Sequence, residues 1–119
     1  MGGVILVVDD EPSIREAFEL VLGSSFKLHL ACSVEEALTI PPAAAAVVKI
    51  IFLDDHLGGG LSGAQSLPLL RRQFPKAYIV FIGALGSLDT PGLRAAGASA
   101  VLPKPWKVTD ILAAARTHA

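Results

Sequence analysis

Three short apolar runs constrain what this chain can fold into more than any other feature. Val4–Val8, residues 47–53 and residues 79–82 are rich in β-branched side chains and are broken only by Lys49. A strand with almost no polar positions must be covered on both faces, the condition of a strand inside a parallel sheet flanked by helices. Lys27–Ala31 reads differently, because Leu28 and Leu30 alternate with Lys27 and His29. That alternation belongs to a strand with one wet face, at a sheet edge. Residues 100–102 form a fifth, shorter candidate that Pro103 and Pro105 are expected to end, since neither has an N–H for a continuing ladder.

Between the strands the apolar period becomes helical. Ile14, Ala17, Phe18, Val21 and Leu22 fall on one face, with Pro12 in the first turn and Glu11 near the positive end of the helix dipole. Ser33 and Glu36 form a capping box that opens a short helix, which must stop before Pro41-Pro42. Residues 43–46, a run of alanines, read as the approach to the third strand. Leu67, Leu70 and Phe74 mark a third helix ending before Pro75, with Pro68 in its first turn or kinking it. Thr90 and Pro91 look like the N-cap and first position of a fourth helix that Gly97 stops. The fifth begins near Trp106 and carries Val108, Ile111, Leu112 and Ala115 on one side.

Five strands alternating with five helices within 119 residues predict one α/β domain over residues 1–119 with right-handed crossovers. A half-wet second strand at the edge and buried first, third and fourth strands fit the flavodoxin-like order 2-1-3-4-5. In that order ligands bind at the carboxyl ends of the first and third strands. The polar residues stand at those ends: Asp9, Asp10 and Glu11 after the first strand, Asp54 and Asp55 after the third, and Lys104 after the fifth. Carboxylates converging at one sheet edge repel one another unless a hard cation such as Mg²⁺ takes up the charge. Lys104 could then hold an incoming anion, and the set suits a carboxylate that receives a phosphoryl group.

The segments VVDDEPSIREAF, FLDDHLGGGLSG and LPKPW resemble the three signature segments of the response-regulator receiver family, across essentially the whole chain. The resemblance implies a two-component signalling phosphoprotein, in which Asp54 takes a phosphoryl group from the phosphohistidine of a sensor histidine kinase or phosphotransfer protein. It implies a Mg²⁺ cofactor held by Asp10 directly, Asp9 through water, Asp54 and the backbone carbonyl of His56. Lys104 and the N–H of Ala84 would bind the phosphoryl group, and the Lys104-Pro105 bond would be cis. Asp55 is a rival acceptor, because counting back from Gly63 across residues 58–60 selects it; register from the apolar strand selects Asp54. Two positions depart from the family: Gly83 stands where Thr or Ser is usual, and Val101 where an aromatic is usual. The coupled hydroxyl and aromatic switch therefore cannot work in its usual form, which keeps open a phosphorylation-independent binding module of the same fold. Gly86, Gly92 and Gly97 would make the region around the fourth helix mobile.

Composition narrows the remaining classes. A net charge of −1 and a pI near 6.3, with no basic stripe, argue against direct nucleic-acid or anionic-lipid contact, so output is expected through an effector domain or partner. No apolar run could span a bilayer and no leader pattern is evident, so a cytoplasmic location is expected. Cys32 cannot form an internal disulfide and reads as a half-buried filler, and His29, His56 and His118 show no metal-ligand spacing with it. Trp106 reads as an anchor for the last helix. A phosphohydrolase acting on outside substrates would need an Asp-x-Asp-x-Thr/Ser pattern after the first strand, which is missing; the chain is expected to be a phosphoacceptor rather than an enzyme. Faces between the fourth and fifth helices pair in relatives, which allows a homodimer.

Overall fold

A computed structural model describes residues 3–57, 61–84 and 89–119. Residues 58–60, across which the count back from Gly63 runs, and Gly86, expected above to be mobile, lie outside the described residues. The elements run β1 (Val4–Val8), α1 (Pro12–Leu22), β2 (Lys27–Ala31), α2 (Val34–Ala37), α3 (Pro42–Ala45), β3 (Val48–Asp54), α4 (Gly63–Gln73), β4 (Tyr78–Ala84), α5 (Thr90–Ala96), β5 (Ala100–Lys104) and α6 (Val108–His118). The five strands are all parallel in the order β2-β1-β3-β4-β5, as the burial pattern of the sequence predicts.

Alternate strand residues feed two separate cores. Ile5, Val7, Ile50, Phe52, Val80 and Ile82 point to one face, where Phe18 and Leu22 of α1 and Ile111 and Ala115 of α6 cover them. Leu6, Val8, Ile51, Leu53, Ile79 and Phe81 point to the other, under α2, α3, α4 and α5. This two-sided burial is why the central strands need no polar positions. Lys49 is exposed and sits at a one-residue shift in the β1/β3 register, so it interrupts the apolar run without entering either core.

Five expectations need correction. There are six helices rather than five, because the alanines after Pro41 form a helical turn. Pro42 occupies its first position, where a missing N–H costs nothing, and Ala45 is buried beneath it. Pro68 lies well inside α4, which starts at Gly63 behind a capping box made by Ser62 and Gln65. The N-cap of α5 is Asp89, whose Oδ1 accepts the Gly92 N–H at 3.2 Å, and Thr90 is already helical. Strand β5 passes through Pro103 to Lys104, because as an edge strand it can leave one side without ladder bonds. Gly97 does close α5, with φ at 133°, a conformation glycine adopts without strain. Cys32 is exposed rather than half-buried.

Candidate functional site

The strand period decides which polar residues can meet. Asp54 ends β3 on the same face as Ile50 and Phe52, and Asp9 continues β1 on the face of Ile5 and Val7. Both carboxylates therefore emerge on the α1/α6 side of the sheet's carboxyl edge, and both are almost fully buried, at 5% and 6% exposure. Side-chain oxygens of Asp9, Asp10 and Asp54 all lie within 4.8 Å of one another, close enough to share one metal ion. Asp55 points to the opposite face and lies outside this cluster, a distinction that follows from its odd position along the strand.

Backbone donors hold the acids in place. Asp9 Oδ1 accepts the Glu11 N–H at 3.0 Å, and Asp54 Oδ2 accepts the His56 N–H at 3.1 Å. The Arg15 guanidinium donates to the Asp9 carbonyl at 2.7 Å and fixes the turn between β1 and α1. From β5, Lys104 reaches back to form an ion pair with Asp54 Oδ1, and its Nζ lies 3.5 Å from Asp55 Oδ1. The Lys104-Pro105 peptide bond is cis.

Burial dominates the electrostatics. It pushes the Asp9 carboxyl up to about 6, against the Glu11 hydrogen bond and with repulsion from Asp54. Burial likewise holds Asp54 above the usual carboxylate range, although Lys104 pulls the other way. For Lys104 burial disfavours the ammonium, but the bond to Asp54 and the charges of Asp54, Asp55 and Asp9 outweigh it and hold the group above its ordinary value. The cluster is thus carboxylate-rich, poorly solvated and short of positive charge, and its oxygen donors fit a hard divalent cation.

A cavity of about 580 Å³ opens over these groups. Asp9, Glu11, Asp54 and Lys104 make its polar wall, and Ile14, Ile82, Pro105 and Trp106 its apolar one. Trp106 leans on Phe18 of α1 with ring centroids 5.0 Å apart, so it anchors a rim of this cavity as well as the approach to α6. Ile14 and Trp106 were not among the expected site residues. Their apolar character marked them as core, and only the packing of α1 and the β5–α6 connection at the sheet edge brings them to the opening. Ala84 lines the cavity at the end of β4. Gly83 is buried within β4 and pairs with Pro103, while Val101, half-buried, packs on the α4/α5 side. The His56 side chain is exposed.

The model of the response regulator receiver domain family matches residues 5–116. Among curated proteins, the chain is similar to the response regulator protein PilR of Pseudomonas aeruginosa, with 36% identity over 103 residues that cover 84% of this chain and 22% of PilR. The chain spans about a quarter of the length of the curated relatives it matches. Among solved structures it is similar to NtrX of Brucella abortus, with a TM-score of 0.83 and 28% identity, covering 98% of this chain and 26% of that one. It is also similar to a response regulator of Burkholderia pseudomallei that carries a phosphorylated aspartic acid and a calcium ion. That match has a TM-score of 0.80 and 28% identity and covers 97% of this chain and 67% of the other.

Proposed function

The chain belongs to the response regulator receiver domain family, and from that premise we propose that Asp54 accepts a phosphoryl group from a sensor histidine kinase or a phosphotransfer protein. The observation that carries this reading is the placement of Asp54: a buried carboxylate within 4.8 Å of Asp9 and Asp10, ion-paired with Lys104, and lining an open cavity. In the transfer, an Asp54 oxygen forms the new O–P bond as the donor's N–P bond breaks, and the electron pair of that bond returns to the donor imidazole. Lys104 meets the incoming phosphoryl oxygens, and in doing so exchanges its carboxylate partner for a phosphoryl one. The Ala84 backbone, at the cavity wall, is the second candidate contact for the phosphoryl group. Asp9, Asp10, Asp54 and the His56 carbonyl would hold a Mg²⁺, which when bound would neutralise charge on the phosphoryl oxygens.

Phosphorylation of Asp54 replaces a singly charged carboxylate with an acyl phosphate of close to two negative charges, a bulkier and more strongly charged group at the strand ends, and the functional output is a change in affinity for an effector domain or partner. With Gly83 in β4 and Val101 in β5, that change does not pass through a hydroxyl and an aromatic at those two positions. A binding module that never uses phosphate would share those two residues, but it would have no need of buried Asp9 and Asp54 crowded together with Asp10. Among the described residues, no helix is long and apolar enough to cross a membrane.

The test is intact-mass spectrometry after incubation with a small phosphodonor and Mg²⁺. One phosphoryl adduct is expected on the wild-type chain and on Asp55→Ala, and none on Asp54→Ala. An adduct that survives Asp54→Ala sinks the assignment; no adduct on the wild type, with the donor active on a control, favours the phosphate-independent module.

A further inference from the structure

Asp55 shares Lys104 with Asp54 from the opposite face of the sheet. Because consecutive strand residues point to opposite sides, Asp54 lines the cavity under α1 and Asp55 lines a second one, of about 520 Å³, between α4 and α5. The Lys104 ammonium lies between the two, paired with Asp54 and 3.5 Å from Asp55 Oδ1. Both partners are partly exposed, the Asp55 side chain being 26% exposed and that of Lys104 38%, so their attraction is open to screening by salt. Lys104 is the single cationic side chain lining the Asp54 cavity among the described residues. Gly83, on the Asp55 side of the sheet edge, adds no side chain that could serve in its place.

We propose that Asp55 is a positioning residue that restrains phosphorylation of Asp54 by competing with the incoming phosphoryl group for Lys104. This rests on the reading of Asp54 as the acceptor. A donor phosphoryl arriving at Asp54 must draw the ammonium away from a second carboxylate, and it approaches that carboxylate's negative charge as it does so. Both effects act on the rate of phosphoryl transfer, and neither requires Asp55 to touch the phosphorus. The chemistry at Asp54 is unaltered; what Asp55 sets is how available its one side-chain cation is.

The experiment follows adduct formation over time by intact-mass spectrometry with acetyl phosphate and Mg²⁺, on the wild type, Asp55→Asn and Asp55→Glu, at low and high ionic strength. Asp55→Asn keeps the shape and removes the charge, and is expected to phosphorylate about three- to tenfold faster at low salt, the size of one screened charge acting at ion-pair range. The advantage is expected to shrink at high salt, as Debye screening requires, and Asp55→Glu to stay within about twofold of the wild type. A merely structural loss would move neither the salt dependence nor the Glu rescue. Equal or slower labelling of Asp55→Asn, a salt-independent gain, or a Glu variant that behaves like Asn would overturn the proposal. An adduct absent from the wild type, or retained by Asp54→Ala, defeats the acceptor reading instead and takes this proposal with it.

Discussion

Asp9 is held where its charge is unwelcome, so folding and ionisation oppose each other there. Its ordinary value of 3.8 rises to about 6 in the fold, chiefly through burial. A carboxyl whose pKa is raised by folding contributes most to stability below 3.8, and that contribution is lost as pH rises through 6. The shift of about two units corresponds to an upper bound of about 3 kcal/mol. Asp9→Asn should therefore stabilise the metal-free domain at pH 7.5 by up to that amount, and the difference from wild type should fade towards pH 4; urea titrations at the two pH values measure it. A variant that is equally or less stable at pH 7.5 would show that the buried carboxylate is not under strain. Gly63 is a second informative residue, because a Cβ there would strike the Asp54 carbonyl oxygen and come within 2.8 Å of Asp55 Cα. Both contacts are backbone and cannot swing aside, so Gly63→Ala should cost about 1–3 kcal/mol despite alanine's better helix propensity.

At the scale of elements, α4, α5 and β5 share an apolar core and are also tied together by one polar side chain. Arg71, near the end of α4, donates to the Ala77 carbonyl at 2.7 Å and the Gly97 carbonyl at 2.8 Å, and to Ser99 Oγ at 3.2 Å. Burial lowers its pKa from the ordinary value. Removing it strands carbonyls on two connections at once, α4–β4 and α5–β5, and Arg71→Ala should destabilise by about 2–3 kcal/mol, given the cost of leaving such acceptors without a donor. Arg71→Lys should recover only part, since a point-like ammonium cannot reproduce the fork; chemical denaturation of the two variants separates charge from geometry. This clamp was not legible in the sequence, where Arg71 and Arg72 look alike and only the tertiary fold chooses between them. The strands were legible, because continuous β-branched runs have few alternatives. The helix starts were less so. Asp89 and Thr90 are both capping residues, and which of them sits outside the first turn depends on the loop before α5. The alanines after Pro41 carry no amphipathic period, and they become helical because Ala45 has a core to enter.

For the molecule as a whole, the doubly wound order put Asp9, Asp10, Asp54 and Lys104 at one edge before any coordinate was needed, since every strand of a parallel sheet ends on the same side. The cavity under Trp106 and the sharing of Lys104 between two faces needed the packed structure, because both depend on side chains from elements distant in sequence. The same packing would couple cation binding at the cluster to stability. Asp9 and Asp54 both carry raised pKa values through burial, so a divalent cation at the cluster must displace protons at low pH and relieves repulsion at high pH. Lys104 is shifted upward and stays charged throughout this range, so it adds no slope of its own between pH 5 and 7.5. Mg²⁺ at about a hundred times its dissociation constant at pH 7.5 should stabilise the wild-type domain by about 2.7 kcal/mol. The increment should shrink at pH 5, where Asp9 is mostly protonated and the cation must compete for it. Asp54→Asn should lose most of the increment at both values while remaining folded. Thermal melts with and without Mg²⁺ at the two pH values decide the matter. An increment that is constant with pH would place the cation away from Asp9, and none at pH 7.5 would mean that the three carboxylates do not form a cation site at all.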